Sequence, residues 1–109
     1  MTVKELIEKT GFRAIALPEP DKEISGVYVG DLLSWVMGRA KEGDAWVTIM
    51  SNVNVLAVAS LADTACVIFS ENVSLDEDLR KTAVEKGVNL ISSSHTTYET
   101  AVILSGALK

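Results

Sequence analysis

The sequence predicts an α/β domain built on a mostly parallel sheet of about five strands, with helices on its faces. Three observations carry this reading. From residue 24 onward, strand-like and helix-like segments alternate through short polar connections, the order of a parallel sheet with crossover helices. Three Ser/Thr-x-x-Glu signatures mark helix starts, and glycines mark two helix ends. The 109 residues, 48% of them apolar, suit one ordinary domain with its own core, and no repeat, linker or low-complexity stretch divides them. Residues 1–109 therefore read as a single domain.

The elements follow in order. Thr2 and Glu5 form a capping box, Val3, Leu6 and Ile7 recur at helical spacing, and Gly11 closes the first helix. Phe12 to Leu17 is a short apolar run interrupted by Arg13, consistent with a strand. Pro18-Glu19-Pro20-Asp21 continues neither structure and makes a turn. Ile24 to Val29 reads as the second strand. Asp31 is placed to N-cap a helix from Leu32 to Arg39, with Leu32, Leu33, Val36 and Met37 expected to face inward. After a turn at Lys41–Asp44, Ala45 to Met50 is the third strand. Ser51-Asn52 opens a helix carrying Val55, Leu56, Val58, Ala59 and Leu61, so apolar on all sides that it is expected to be largely buried. Cys66 to Phe69 is the fourth strand. Ser74 and Glu77 suggest a second capping box, for a helix ending at Lys86 before Gly87. Asn89 to Ser92 is the fifth strand, and Thr96 with Glu99 caps a last helix that runs to Leu108.

Charge and composition exclude several function classes. Fifteen acidic and ten basic residues give a net charge of −5, and the densest basic point is Arg80-Lys81, so a nucleic-acid backbone finds no basic stripe. The single cysteine, Cys66, has no internal disulfide partner and reads as a buried thiol. His95 is the only histidine and supplies no metal-ligand set by itself. No stretch approaches the roughly 20 apolar residues that span a bilayer, and the amino terminus lacks a signal-type apolar run. A cytoplasmic location without membrane contact is the expectation. Gly26-Val27-Tyr28-Val29-Gly30 lacks the rest of a dinucleotide or P-loop pattern, so no cofactor is expected. Trp35 and Trp46 read as core or subunit-interface anchors. Trp35 fits the Leu32, Val36, Met37 spacing poorly and, if it projects outward, implies an interface.

In an open parallel sheet, ligands gather beyond the carboxyl ends of the strands, where helix amino termini point. Polar segments fall at four such places: Asp31; Ser51-Asn52; Ser70-Glu71-Asn72; and Ser93-Ser94-His95-Thr96. Backbone N–H groups and hydroxyls there suit a small anion. The same residue types are preferred helix caps, so each position also reads as a cap alone. The run from Ser92 to Thr97 is longer than a cap needs. A reaction centred on His95, with Asp31 or Glu71 and a serine, lacks the strand-turn-helix nucleophile pattern, so binding is the better reading than catalysis.

Several stretches resemble a known family. They are Val3-Lys4-Glu5-Leu6-Ile7-Glu8-Lys9, Ile24 through Ser34, Val36 through Gly43, Trp46-Val47-Thr48-Ile49 and Leu90-Ile91-Ser92-Ser93. Together they look like a stand-alone DRTGG domain, and the first half also resembles the amino-terminal domain of bacterial HPr kinase/phosphorylase. The family's Asp-Arg position falls at Asn52-Val53 and its Thr-Gly-Gly at Ser70-Glu71-Asn72, so both motifs have departed here. The resemblance implies a regulatory module that supports oligomer contacts or sensing, with no catalytic residues of its own. The resulting expectation is a homodimeric sensing domain that binds a small anionic metabolite or nucleotide along one shared rim. A protein-interaction module without a small ligand is the alternative.

Overall fold

The computed structural model describes residues 1–109. Its elements run α1 (Val3–Thr10), β1 (Arg13–Ala16), β2 (Gly26–Val29), α2 (Leu33–Arg39), β3 (Asp44–Thr48), α3 (Asn54–Ala62), β4 (Cys66–Phe69), α4 (Glu77–Lys86), β5 (Leu90–Ser92) and α5 (Thr97–Ala107). The strands form one sheet in the order β1-β5-β4-β3-β2. Strands β2 to β5 are parallel and adjacent in chain order. Each crossover therefore steps one strand in the same direction, and right-handed crossovers of that kind put their helices on the same face.

Side-chain alternation divides the core in two. Trp46, Val67, Phe69 and Leu90 point to the face covered by α2, α3 and α4, where they meet Val36, Leu56, Ala59, Leu79 and Ala83. Their strand neighbours Ala45, Val47, Cys66, Ile68 and Ile91 point to the other face, against Val3 and Leu6 of α1 and Leu104 and Ala107 of α5. All of β3 and β4 is buried. Burying one such aliphatic side chain stabilises the fold by about 1.5–3 kcal/mol. The indole of Trp46 is fully buried and its Nε1–H donates to the Gly30 carbonyl at 2.8 Å, which ties the end of β2 to the core.

The sheet is mixed, a correction to the mostly parallel arrangement expected. β1 runs antiparallel to β5, with a register shift between Ala14 and Ala16. The reason is connectivity. β1 and β2 lie at opposite edges, about 19 Å apart at the usual strand spacing. Antiparallel β1 ends at the border where the parallel strands begin, so residues 17–25 travel along that border to reach β2. Asn89 anchors the crossing: its Oδ1 accepts from Glu19 N–H at 2.9 Å, and its Nδ2 donates to the carbonyls of Glu19 at 2.7 Å and Ala65 at 2.9 Å.

The helix ends are partly as expected. Thr2 with Glu5 and Thr96 with Glu99 both form complete capping boxes, and Gly11 takes the left-handed conformation at φ 75° after α1. Ser74 is not a cap. Asp76 takes that place, its carboxylate accepting from Leu79 N–H at 3.0 Å, which leaves Glu77 and Asp78 in the first turn where the helix dipole favours them. Asp31 does not cap α2 either. Its Oδ1 accepts from Thr48 Oγ1 at 2.8 Å and from Ile49 N–H at 2.9 Å, and the helix starts uncapped after Leu32. Leu32 and Met37 are exposed, because this short helix seats only Leu33, Val36 and Ala40 towards the sheet. Leu61 is also exposed, on the outer side of α3. No helix is long and apolar enough to cross a membrane.

Candidate functional site

The carboxyl ends of β2 to β5 share one border of the sheet, and the amino end of antiparallel β1 joins them there, Arg13 pairing with Ser92. All ten positions anticipated from the sequence lie along this border. They do not form one rim. The β4–α4 loop folds over towards β5, with Glu71 N–H donating to the His95 carbonyl at 2.7 Å and Asn72 N–H to the Ser93 carbonyl at 3.1 Å. This fold-over separates the border into distinct hollows.

The hollow between β1 and β5 has a volume of about 210 Å³. Asn72, Ser93, Ser94 and His95 line it, together with Ser92 and the turn Thr10-Gly11-Phe12-Arg13. Ser93 is buried. Its Oγ contacts Thr100 Oγ1 at 2.9 Å and accepts from the backbone N–H of His95 at 3.2 Å, so it holds the loop in shape rather than activating the imidazole. The His95 ring leans on buried Phe12, centroids 6.4 Å apart at 53°, within the tilted range aromatic pairs favour. Its Nδ1 is 4.0 Å from Glu99 Oε1. Arg13 is exposed and makes no ion pair in the chain. It also borders a neighbouring depression lined by Leu75, Asp76, Glu77 and Arg80.

Three anticipated residues act on the framework of this hollow. Ser70 is fully buried and its Oγ contacts Thr97 Oγ1 at 2.7 Å. Thr96 caps α5, accepting from Glu99 N–H at 3.1 Å while Glu99 accepts in return from Thr96 N–H at 3.0 Å. That second bond, with help from the Thr96 hydroxyl, holds the Glu99 carboxyl below its ordinary range. Glu71 Oε2 accepts from Thr97 N–H at 2.7 Å, so the chain's own carboxylate sits at the start of α5. Glu71 and Asn72 adopt φ of 64° and 52°, the left-handed region that favours glycine.

The remaining three lie apart. Ser51 and Asn52 line a depression of about 260 Å³ with Asp76 and Asp78, an acidic setting that disfavours an anion. Asn52 Oδ1 accepts from Asn54 N–H at 2.9 Å. Asp31 lies at the end of β2, committed to Thr48 and Ile49. In the sequence Arg13 and Gly11 read as parts of a strand and a helix end. Only the antiparallel course of β1 carries them to the border, and no local pattern announces that course.

Comparison with known proteins agrees with this architecture. The DRTGG domain family model matches residues 19–107. A search of curated proteins finds none that matches. Among solved structures, the chain is similar to the CBS and DRTGG domains of the regulatory region of Clostridium perfringens pyrophosphatase, complexed with its activator diadenosine tetraphosphate. The TM-score is 0.74 at 12% identity, over 97% of this chain and 46% of that one, so this chain spans about half of its structural neighbour. The chain belongs to the DRTGG domain family.

Proposed function

We propose that this DRTGG domain is a regulatory, ligand-sensing module without catalysis of its own, which binds a small anionic metabolite or nucleotide in the hollow between β1 and β5 and works as a homodimer. The observation that carries the ligand reading is the hollow of about 210 Å³ in which an unpaired Arg13 stands beside His95, Ser94 and Asn72. A free guanidinium next to hydroxyl, amide and imidazole groups recognises phosphate or carboxylate oxygens. The structural neighbour's regulatory region is complexed with a nucleotide activator, which supports the same class of ligand. Ser51, Asn52 and Asp31 fall outside the proposed pocket, while Ser70, Glu71 and Thr96 shape it from behind. The reading places the domain in the cytoplasm, and the likeness to the amino-terminal domain of HPr kinase/phosphorylase belongs to it as well.

Thermal denaturation against a panel of nucleotides and phosphorylated metabolites tests the pocket. A ligand at one hundred times its Kd stabilises the chain by about 2.7 kcal/mol. Arg13→Glu, at an exposed position, is expected to abolish that shift while leaving the unliganded melting temperature nearly unchanged. A panel with no active compound, or a shift that survives Arg13→Glu, overturns the assignment. Trp35 favours the second reading, a protein-interaction module, because an indole 53% exposed on α2 is an unspent anchor.

A further inference from the structure

The two edges of the sheet differ in how they meet solvent. β1 is interrupted by a register shift between Ala14 and Ala16, carries Arg13 and runs into Pro18, all features that discourage another strand from adding. β2, Gly26-Val27-Tyr28-Val29, has no charge, no proline and no irregularity in its register with β3. It has no neighbour on its outer side, so alternate backbone N–H and C=O groups there face solvent. Val27 and Val29 are 38% and 44% exposed on the face shared with Ala45 and Val47. On the opposite face Arg39 and the edge residues Gly26 to Tyr28 line one groove, and Arg39 lies 3.7 Å over the exposed Trp35 ring. The open edge and the Trp35–Arg39 flank of α2 thus form a continuous surface.

We infer that a second copy of this chain docks here, its β2 pairing antiparallel with the first about a two-fold axis. The inference rests on the homodimer part of the proposed function and supplies its interface; it is independent of the ligand. Three observations favour a second copy over an unrelated partner. A two-fold axis lets one uncharged strand satisfy its own outer row of hydrogen-bonding groups. Antiparallel pairing brings the end of one β2, with Asp31, beside the start of the other, where Arg39 lines the groove with Lys41, Glu42 and Asp44. Arg39 has no ion pair within its own chain and Asp31 of the second copy meets it. At a net charge of −5, copies of the chain repel each other in general, and a charge-free strand is where close approach costs least. Four residues of strand and one helix flank fall short of the roughly 800 Å² per partner of a standard interface, so the dimer is concentration-dependent.

Sedimentation velocity across a concentration series, up to roughly 0.5 mM where sub-millimolar association is populated, reads the outcome. The wild type is expected to approach twice the monomer mass, and Val29→Lys and Arg39→Glu to stay at the monomer mass with an unchanged far-UV spectrum. A wild-type dimer that persists in both variants overturns the β2 interface but leaves the homodimer reading standing. A monomer at every concentration overturns both. Should Val29→Lys fail to fold, amide hydrogen exchange of the wild type decides instead. Slower exchange at Val27 and Val29, whose N–H groups face away from β3, as concentration rises supports the pairing, and unchanged exchange overturns it.

Discussion

Glu71 and Asn72 hold a backbone conformation that their residue types do not favour. Their φ values, 64° and 52°, lie in the left-handed region that glycine adopts without penalty. For an ordinary L-residue the left-handed region costs roughly 1–2 kcal/mol, more readily borne by asparagine than by glutamate. Glu71 recovers part of that cost through its carboxylate, which accepts from Thr97 N–H at 2.7 Å. Two substitutions separate the terms. Glu71→Ala loses the hydrogen bond and keeps the strained φ, whereas Glu71→Gly loses the bond and the strain together. Urea denaturation should therefore find Glu71→Gly more stable than Glu71→Ala by about 1 kcal/mol. Equal stabilities would mean that the loop relaxes and the left-handed pair is not imposed by its contacts.

At the scale of the element, legibility tracked how local the deciding interaction is. The capping boxes at Thr2–Glu5 and Thr96–Glu99 were readable because both partners sit three residues apart, and the apolar run Cys66–Phe69 because a strand buried on both faces needs no partner to be recognised. Asp31 misled because its carboxylate goes to Thr48 and Ile49 on the neighbouring strand. Ser74 misled because Asp76 competes for the same helix start with a charge the dipole prefers. The direction of β1, and with it Arg13 in the candidate pocket, depends on a pairing nearly eighty residues away that leaves no local trace. The capping boxes also predict a pH response. The Thr2 backbone N–H and then its hydroxyl hold Glu5 below the ordinary value of 4.5, and the Thr96 N–H and hydroxyl do the same for Glu99. A carboxyl whose pKa is lower folded than unfolded stabilises above its unfolded pKa, and that stabilisation disappears as pH falls through the lowered folded value. Glutamine fills the same place in a capping box without titrating. The double variant Glu5→Gln/Glu99→Gln should therefore melt close to wild type at neutral pH and lose less of its melting temperature on acidification below 4.5. Parallel acid profiles for the two proteins would count against this.

For the whole molecule, the family match and the folding unit do not coincide. The match begins at residue 19, which omits α1 and β1. Yet Val3 and Leu6 are wholly buried and Phe12 nearly so, and all three belong to the core beneath α5 that also holds Cys66. Their loss removes about 1.5–3 kcal/mol each, a large share of the roughly 5–15 kcal/mol that keeps a domain folded. It also bares the edge of β5 and one side of the proposed pocket. Cys66 provides the readout. Burial pushes its thiol up to about 12, against a small opposing pull from Lys22, so in the intact fold it is both inaccessible and protonated. In the full chain, a thiol reagent such as Ellman's is expected to label Cys66 only as fast as the protein opens. A chain that begins at Glu19 should label at nearly the rate of the urea-unfolded protein and show no sharp near-ultraviolet signal from Trp46. If that shortened chain instead unfolds cooperatively with its thiol protected, α1 and β1 are an appendage, and the two-sided core is not what holds this domain together.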